Sequence, residues 1–416
     1  MVAIETLRSS TNGFDYAVIG AGAAGISAAR TLSAAGRRVV VLEALSRIGG
    51  RAFTETISGY PFDWGCHWLH SGSRNVLRLE ADRLGVRYGH PSIARRLRMP
   101  DGTWADAAML AERSAYTKQC DEAAVRAARK SDVALARVLP DHDRWNPWQR
   151  MWLTLLCSFE AEEISVVDYA RYEDTLEDWP VLDGYGALIE KLASSLDIRT
   201  QTEVRTVTRS ADGVILKGAF GELRVKGMVV TASTSALAAE RIRFTPALPH
   251  EVTEAFHHIP VGRANKILFP IVGDAESFPE AANLVDLRRL PQALSFYCRP
   301  YGRALIVAHS GGHFAAALEA AGERAAVAEA HDQLKDLLGT QVLKHLGDGR
   351  ASAWGQIPSI RGAYASARPG HGHRRQVLAT PFDERLQLAG EACSMPFYST
   401  AHGAFESGAA AAARLL

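Results

Sequence analysis

A short apolar run that enters a glycine-spaced turn constrains this chain more than any other feature. The run from Tyr16 to Ile19 leads into Gly20, Gly22 and Gly25, spaced as GxGxxG, and an alanine-rich segment follows. Gly20 permits a tight turn, Gly22 lets the backbone approach a pyrophosphate, and Gly25 lets helix and strand pack closely. The helix N-terminus then offers free N–H groups to phosphates. The spacing predicts the start of a dinucleotide-binding α/β domain. The alternative is a glycine-rich turn in an ordinary α/β protein.

The residues after the second predicted strand narrow the choice of cofactor. The strand at 38–42 ends on Glu43, where such folds bind ribose hydroxyls. The following segment supplies Arg47, the pair Gly49–Gly50, and Arg51. The glycines let the backbone fold over a dinucleotide, and Arg51 can place its guanidinium on a diphosphate. Taken alone, the two arginines are equally consistent with solvated surface charges. Together with the glycine turn, the segment predicts FAD.

The composition is typical of an enzyme. The length predicts more than one domain, and the net charge predicts no charged macromolecular partner. At 416 residues and 47% hydrophobic content, the chain is long enough for two domains. A formal net charge of +1 gives no reason to expect nucleic acid or an anionic membrane surface. No apolar stretch approaches the roughly 20 residues of a membrane span. The polar N-terminal segment lacks an apolar signal core, so we expect a cytoplasmic location.

Cysteine and histidine spacing gives no sign of a metal site. The cysteines have no paired spacing, which predicts reduced thiols; they are Cys66, Cys120, Cys157, Cys298 and Cys393. The histidine clusters are His67 with His70 and His371 with His373. Neither has a cysteine or carboxylate at ligand spacing, so we expect no bound metal.

Periodicity predicts the remaining architecture. Helical spacing predicts helices over 75–84, 109–138, 148–158, 184–193 and 324–338. Strands are predicted over 203–209, 214–217, 227–232, 263–270, 303–309 and 386–390, with 227–232 returning the chain to the nucleotide sheet. A last helix opens at Ala401, and its N-terminus is suited to stabilising charge on a flavin. The aromatics Trp145, Trp148 and Trp152 are interpreted as packing residues and not as a cofactor site.

In this order, the motifs resemble those of the FAD-dependent amine oxidases, the family of monoamine oxidases, polyamine oxidases and related bacterial enzymes. Further matching segments are 63–70, 262–269 and 354–364, so the resemblance covers almost the whole chain. It implies an α/β fold with a doubly wound, Rossmann-like FAD-binding domain and a substrate domain of mixed sheet and helices. The FAD-binding domain is expected from residues 1–75, 196–250 and 376–416, and the substrate-binding domain from residues 76–195 and 251–375.

The resemblance also carries site residues onto this chain. Catalytic positions are Lys266, Tyr364 and Trp354. The implied FAD contacts, with the backbone of Val204 meeting the adenine, are Gly20, Gly22, Ala24, Gly25, Glu43, Ala44, Arg47, Gly49, Gly50, Arg51, Gly65, Cys66, His67, Trp68, Val204, Trp354, Gly390, Glu391, Thr400 and Ala401. The implied substrate contacts are His70, Cys157, Tyr364, Phe397, Tyr398 and Thr400.

Lys266 carries the sharpest chemical expectation. On a strand it shares one face with Ala264 and Leu268, where a lysine is costly unless it has a role. A lysine reaching from an edge strand to water fits the sequence equally well. The resemblance implies instead that Lys266 holds a water against flavin N5 and assists the reaction of reduced flavin with oxygen.

Three features of the sequence bear on the substrate class and on how the flavin is linked. The monoamine oxidases surround the amine with two tyrosines; Tyr364 matches one, but Thr400 stands in the place of the other, and Phe397 or Tyr398 would have to fill the gap. Ala363 replaces the cysteine that bonds the flavin in the membrane enzymes, so FAD is expected to be held non-covalently. The His67–His70 segment is similar to that of animal polyamine oxidases, which favours a polyamine or secondary amine, although a structural histidine explains it as well.

The implied activity is the oxidative deamination of a small amine. A hydride passes from the α-carbon to flavin N5, the imine hydrolyses, and oxygen is reduced to hydrogen peroxide. An apolar, aromatic site would favour the neutral amine, which gives up hydride readily. The alternatives are a flavin desaturase or dehydrogenase of an isoprenoid or porphyrin-like substrate, and a catalytically silent FAD-bound scaffold. The amine and the oligomeric state, including a homodimer, stay open.

Overall fold

The computed structural model describes residues 13–90 and 92–416. The polar N-terminal segment on which the expectation about a signal core rests therefore lies almost entirely outside the described residues. The strands are β1 Tyr16–Ile19, β2 Val39–Leu42, β3 Thr54–Ile57, β4 Tyr60–Asp63, β5 Trp68–Leu69, β6 Ala94–Arg98, β7 Trp179–Pro180, β8 Asp197–Arg199, β9 Val204–Ser210, β10 Gly213–Gly218, β11 Gly221–Val225, β12 Gly227–Val230, β13 Arg243–Thr245, β14 Ala264–Pro270, β15 Ala282–Asp286, β16 Ser295–Cys298, β17 Leu305–Gly311, β18 Arg350–Ala351 and β19 Leu386–Leu388. The helices are α1 Ala23–Ala34, α2 Val76–Leu84, α3 Ala107–Ala128, α4 Asn146–Cys157, α5 Val166–Arg171, α6 Tyr185–Ala193, α7 Thr234–Ala238, α8 His250–His258, α9 Gly312–Ala321, α10 Glu323–Leu338, α11 Arg374–Ala379 and α12 Ala401–Ala413.

A parallel five-stranded sheet contains the predicted nucleotide-binding start. Its strand order is β19-β12-β1-β2-β8, and all neighbouring strands are parallel. Strands β2 and β12 are buried along their whole length, as expected where both faces of a parallel sheet are covered. The strand–turn–helix at Gly20 and the return of the chain through β12 are therefore confirmed.

Helices α1 and α12 pack tightly together beside this sheet, and two glycines permit the approach. A Cβ on Gly408 of α12 would lie 2.0 Å from the carbonyl oxygen of Ala24. A Cβ on Gly25 would lie 1.8 Å from the carbonyl oxygen of Gly20. A side chain at position 408 would push α12 away from α1, and a side chain at position 25 would push α1 away from the glycine turn. The opposite face of the sheet shares its core with the four-stranded sheet β11-β10-β9-β13.

A mixed six-stranded sheet separates a helical layer from an internal cavity. Its order is β18-β14-β17-β16-β15-β6; β6 pairs parallel with β15, and the other neighbours are antiparallel. Because successive side chains on a strand point to opposite faces, Ile267 and Phe269 of β14 join the core with α10 while Lys266 faces the cavity. The predicted strands at 263–270 and 303–309, and the helix over them, are confirmed as β14, β17 and α10.

Helices α3, α4 and α5 close the cavity from another side. Trp145 and Trp148 are fully buried in their core, which confirms the packing interpretation for both. Trp152 is only partly buried and lines the cavity, so that interpretation is incomplete for this residue. The predicted helix 109–138 is too long. It ends at Ala128, and the carboxylate of Asp132 instead binds the Ser165 hydroxyl at 2.6 Å and a backbone N–H of a distant loop.

Core packing bears on where the two domains divide. Side chains of α2 and α6, both inside the expected 76–195 substrate segment, belong to the core around α1; they include Leu77, Ala81, Leu188 and Ile189. Side chains of α8, inside the expected 251–375 segment, pack into the core behind the parallel sheet. The division stays a prediction, and this packing favours assigning α2, α6 and α8 to the FAD-binding domain. Within the described ranges, no helix has the length and apolarity needed to cross a membrane.

Candidate active site

A cavity of about 1230 Å³ runs from the glycine turn to the six-stranded sheet and the helices α4 and α5. Sites for one small molecule typically measure about 300 to 1,000 Å³. The cavity is therefore large enough for a dinucleotide and a substrate together. Its two ends are built differently, and we call them the glycine end and the sheet end.

The glycine end contains most of the expected cofactor contacts. Those that line the cavity are Gly20, Gly22, Ala24, Glu43, Ala44, Gly49, Gly50, Arg51, Gly65, Cys66, His67, Trp68, Val204, Trp354, Gly390, Glu391, Thr400 and Ala401. Gly25 lies behind the turn, where it permits helix and strand to pack. Arg47 does not line the cavity, contrary to the expectation. Its guanidinium turns back on its own loop, donating to the Gly50 carbonyl at 2.7 Å and stacking 4.1 Å from the Phe53 ring.

The backbone at the glycine end is suited to an anionic dinucleotide. Helix α1 begins at Gly22 without a side-chain cap, so the N–H groups of its first turn are available to a phosphate. Glu43 is nearly buried, and its carboxylate accepts from the N–H groups of Ala21 at 2.7 Å and Leu45 at 2.8 Å. These bonds fix the acid beside the turn. A Cβ on Gly22 would meet nothing closer than the Gly49 carbonyl at 3.9 Å, so the space above it is open.

Arg51 links two distant loops at this end. It donates to Glu391 at 2.9 Å and to the carbonyl of Ala363. The other carboxylate oxygen of Glu391 accepts from the N–H of Ser399 at 3.1 Å. The interaction joins the turn after β2 to the loops before α12, so the two chain ends form one wall of the cavity. Contact between Arg51 and a diphosphate stays a prediction.

Lys266 projects from β14 into the middle of the cavity. Its Nζ donates to the carbonyls of Asp63 at 2.6 Å and Gly65 at 2.8 Å. Burial lowers the pKa of Lys266 to about 8, although Asp63 and Cys66 act in the opposite direction. The lysine therefore does not reach out to bulk water from an edge strand, which was the alternative from sequence. It is a desolvated cation held by backbone carbonyls of the segment that precedes Trp68.

A buried polar network supports that segment. Burial acts to raise the pKa of Asp63, but hydrogen bonds from His67 and Thr54 and the charge of Lys266 outweigh it and lower that pKa. Burial lowers the pKa of His67, partly offset by Asp63. The Nε2 of His67 lies 2.8 Å from the Tyr301 hydroxyl. Asp63 and Tyr301 were not among the expected site residues; Asp63 stood inside a recognised motif, whereas Tyr301 had no sequence signal.

Tyrosines form a wall of the cavity that Lys266 also lines. Tyr364 lines it and donates its hydroxyl to the Leu155 carbonyl. Tyr398 also lines it, with its ring 5.3 Å from the ring of Tyr172 in an edge-to-face arrangement. Phe397 does not line the cavity, so its expected substrate contact is wrong; its ring packs 4.7 Å from His402. Of the two candidates for the second aromatic position, Tyr398 is the one that lines the cavity, and its role there stays a prediction.

A buried ion pair stands behind Tyr398. Arg375 and Asp168 are both within 1% of complete burial, and two guanidinium nitrogens bind the two carboxylate oxygens at 2.7 Å each. The guanidinium lies 4.1 Å from the centre of the Tyr398 ring. Since the pair is bidentate and inaccessible to water, it holds the ring in one orientation.

The mouth of the cavity carries His70 and acidic side chains. His70 Nδ1 lies 2.6 Å from Asp178 Oδ1, and both residues are exposed. Asp121, Asp174 and Glu177 also line this part of the cavity. Cys157 lines it deeper, where burial raises the pKa of its thiol to about 12.

The sheet end contains residues that sequence analysis did not single out. The cavity face of the six-stranded sheet presents polar side chains that come from four strands; they are Arg95, Asn283, Ser295, Tyr297 and His309. Burial and the charge of Lys266 lower the pKa of His309 to about 3. In sequence, Asn283, Tyr297 and His309 share one signal, a polar side chain in a mainly apolar strand, whereas Arg95 lies in an arginine-rich strand and has no such signal.

A model of the flavin-containing amine oxidoreductases matches residues 23–416. The chain belongs to the flavin-containing amine oxidoreductase family. Its cofactor is FAD, and the open glycine turn, the uncapped start of α1 and the size of the cavity fit that group. The family acts on amines, which argues against both the desaturase of a carbon skeleton and the silent scaffold.

Individual relatives agree with the family match. Polyamine oxidase 4 of Oryza sativa subsp. japonica is 29% identical over 433 residues, covering 95% of this chain and 87% of that protein. Polyamine oxidase 2 of Arabidopsis thaliana is 28% identical, covering 97% and 88%. Among solved structures, cyclohexylamine oxidase from Brevibacterium oxydans IH-35A superposes with a TM-score of 0.81 at 20% identity, covering 97% of this chain and 98% of that one. This likeness confirms the α/β fold.

Proposed function

We propose that this protein is an oxidase that converts a small amine, water and oxygen into an aldehyde, ammonia and hydrogen peroxide. The observation that carries the proposal is the position of Lys266, a desolvated cation in the cavity that is lined by both the tyrosine wall and the glycine turn. When bound, FAD supplies the two-electron acceptor. The described side chains bind, orient and desolvate the amine.

The tyrosine wall selects the reactive form of the amine. Burial raises the pKa of Tyr364, so its phenol stays neutral and does not serve as a base. Tyr398 is held from behind by Arg375, whose charge is balanced by Asp168. A bound amine then meets aromatic surface and not a carboxylate, and this environment favours its neutral form. Lys266 provides a positive charge where oxygen is reduced and stabilises the negative charge that develops.

The polyamine interpretation has its own support. The similar plant proteins are named polyamine oxidases, and the acidic mouth would attract a second ammonium group. A secondary amine or a polyamine is therefore the alternative substrate class within this function.

A peroxide-release assay tests the function. The purified yellow protein is supplied with a panel of monoamines, diamines and polyamines, and peroxide and aldehyde are measured together. We expect equal amounts of both products from at least one amine. Flavin reduction without peroxide would indicate a dehydrogenase that uses another acceptor, and no reduction by any amine would contradict the proposal.

We also propose that FAD is held non-covalently. Ala363 lines the cavity without a thiol, and burial raises the pKa of the Cys66 thiol to about 12, so Cys66 presents no thiolate at neutral pH. Acid precipitation should release all the flavin into the supernatant. Flavin that stays in the washed pellet would contradict this.

A further inference from the structure

Two guanidinium groups at the outer edge of the sheet end meet around a tryptophan pair. Arg95 of β6 lies 4.4 Å from the ring of Trp152 and 5.5 Å from the ring of Trp148. Arg113 of α3 lies 5.7 Å from the same Trp148 ring. The two indoles are stacked at 5.7 Å. Two like charges therefore flank one aromatic stack.

Neither guanidinium has a carboxylate partner. Within residues 13–90 and 92–416, no Asp or Glu oxygen lies within 4.0 Å of Arg95 or Arg113, and no hydrogen bond is made by the Arg95 side chain. Arg113 donates to the neighbouring Ser114 hydroxyl, and its Nε is buried without a partner. Burial and the charge of Arg113 lower the pKa of Arg95 to about 10, so it remains charged at neutral pH. Both residues are partly buried, and charges that lose much of their contact with water are normally paired in folded proteins.

Arg95 faces the cavity that contains Lys266. In the sheet, Arg95 is the register partner of Asn283, which pairs with Tyr297, and Lys266 pairs with His309. All five side chains line the same cavity. Four strand spacings of about 4.8 Å separate β14 from β6, which places the two Cα atoms roughly 20 Å apart. Arg95 also lies near the tyrosines: its guanidinium is over Trp152 of α4, and the carbonyl of Leu155, about 4.5 Å further along that helix, accepts the hydroxyl of Tyr364.

We propose that Arg95 binds a carboxylate at the far end of the substrate, so that the oxidised amine belongs to an ω-amino carboxylate. The proposal rests on the proposed amine oxidase function and names its substrate class. A carboxylate supplies the counter-ion that the two guanidiniums lack, and its planar oxygens match the guanidinium fork. A polyamine would place an ammonium group beside Arg95, where the like charges repel.

Two substrates test amine oxidation and carboxylate binding separately. Hexylamine reports amine oxidation alone, and ω-aminohexanoate adds a carboxylate at the opposite end of a chain of equal carbon number. We expect ω-aminohexanoate to have the higher kcat/KM in the unaltered holoenzyme. Arg95→Gln should lower that value roughly 10- to 100-fold and leave hexylamine within about twofold, because one charge-assisted interaction is removed. Arg95→Lys should retain part of the preference.

Arg96→Gln is the matched control. Arg96 is the next residue on the same strand but is exposed on the opposite face, with its guanidinium 4.7 Å from the Trp104 ring. The Arg96→Gln variant should have unchanged kcat/KM values for both substrates. Equal losses for hexylamine and ω-aminohexanoate in Arg95→Gln would assign Arg95 to packing of the tryptophan stack and overturn the proposal. A preference for putrescine that Arg95→Gln does not alter would also overturn it.

Binding provides a readout that does not depend on turnover. Hexanoate, which has no amine to oxidise, should perturb the flavin absorbance of the holoenzyme and compete with ω-aminohexanoate. Its affinity should fall at least about tenfold in Arg95→Gln and not in Arg96→Gln. If hexanoate binds in this Arg95-dependent way while no amine is oxidised, the proposed function fails and the anion site stands. If amines are oxidised and hexanoate does not bind, the anion site fails alone.

Discussion

The glycine end and the sheet end of the cavity recognise their ligands with different parts of the chain. The glycine end presents backbone: the turn at Gly22, the first turn of α1, and N–H groups that fix Glu43. The sheet end and the middle of the cavity present side chains from segments far apart in sequence, among them Lys266 on β14 and Tyr364 in a loop. A backbone site is built by a few consecutive residues, whereas a side-chain site requires the whole fold to be in place.

The pKa values of the side chains that line the cavity also bear on this comparison. Three residues that line the cavity have strongly shifted pKa values: about 3 for His309, about 8 for Lys266 and about 12 for Cys157. Burial is the largest cause of each shift. Shifted pKa values in a cavity are typical of catalytic regions, which supports the roles proposed for the residues that line it.

The largest effect is expected at the glycine end. Gly22→Val directs a side chain into the open space above the turn, where a Cβ meets nothing closer than 3.9 Å, so the fold should survive and FAD retention should fall at least about tenfold. Flavin absorbance per protein and thermal unfolding measure the two effects. Gly25→Ala is the contrast, because its Cβ would lie 1.8 Å from the Gly20 carbonyl and should destabilise the protein itself. Full flavin occupancy in Gly22→Val would refute this placement of the dinucleotide.

Lys266→Met should separate the two half-reactions. Removing a preorganised cation should slow reoxidation of the reduced flavin by about 100-fold, while anaerobic reduction by amine changes little. Because the pKa of Lys266 is about 8, the ammonium form predominates below that pH. The reoxidation rate should therefore decrease as pH rises through about 8, and Lys266→Met should abolish that dependence. Stopped-flow kinetics measure both steps.

Exposed Lys217→Met is the control for general charge effects, since Lys217 pairs with Glu222 at the surface. An unchanged oxygen reaction in Lys266→Met would assign the lysine a structural role and revive the dehydrogenase alternative.

The tyrosine wall should contribute to flavin reduction. Tyr364→Ala and Tyr398→Ala remove the aromatic surface that orients the amine, and each should slow reduction by about 10- to 100-fold. Phe397→Ala is the matched control: its ring is buried outside the cavity, so stability should fall while the reduction rate is maintained. Equal rate losses in Phe397→Ala and Tyr398→Ala would mean that the loop as a whole, and not the Tyr398 ring, determines the rate.

The smallest effect is expected at the mouth. His70 forms an exposed pair with Asp178, and exposed ion pairs contribute about 0 to 1 kcal/mol. His70→Ala should change KM for a diamine by no more than about fivefold and leave a monoamine unaffected. Asp178→Asn removes the other partner of this pair and should change the KM for a diamine by a similar factor. Identical changes for monoamines and diamines would remove the support that His70 gives to the polyamine alternative.

Local sequence determined the nucleotide-binding start because its contacts are short-range. The strand, the glycine turn, α1 and Glu43 lie within 30 residues, and the closest approach, of Gly25 to the Gly20 carbonyl, joins residues of the same turn. Periodicity located many of the longer strands and helices but not their ends: α3 stops at Ala128, and Asp132 bonds to segments far along the chain.

The orientation of side chains was decided by tertiary structure. Phe397 and Tyr398 are adjacent, and only the packed loop before α12, with Ser399 at a φ of 63°, determines that the tyrosine faces the cavity. Arg47 was assigned to the cofactor but folds back on its own loop. Arg95 reaches the cavity because β6 joins a sheet whose neighbouring strand lies nearly 190 residues later. Backbone geometry follows from nearby residues, whereas the direction of a side chain depends on what the rest of the chain packs against it.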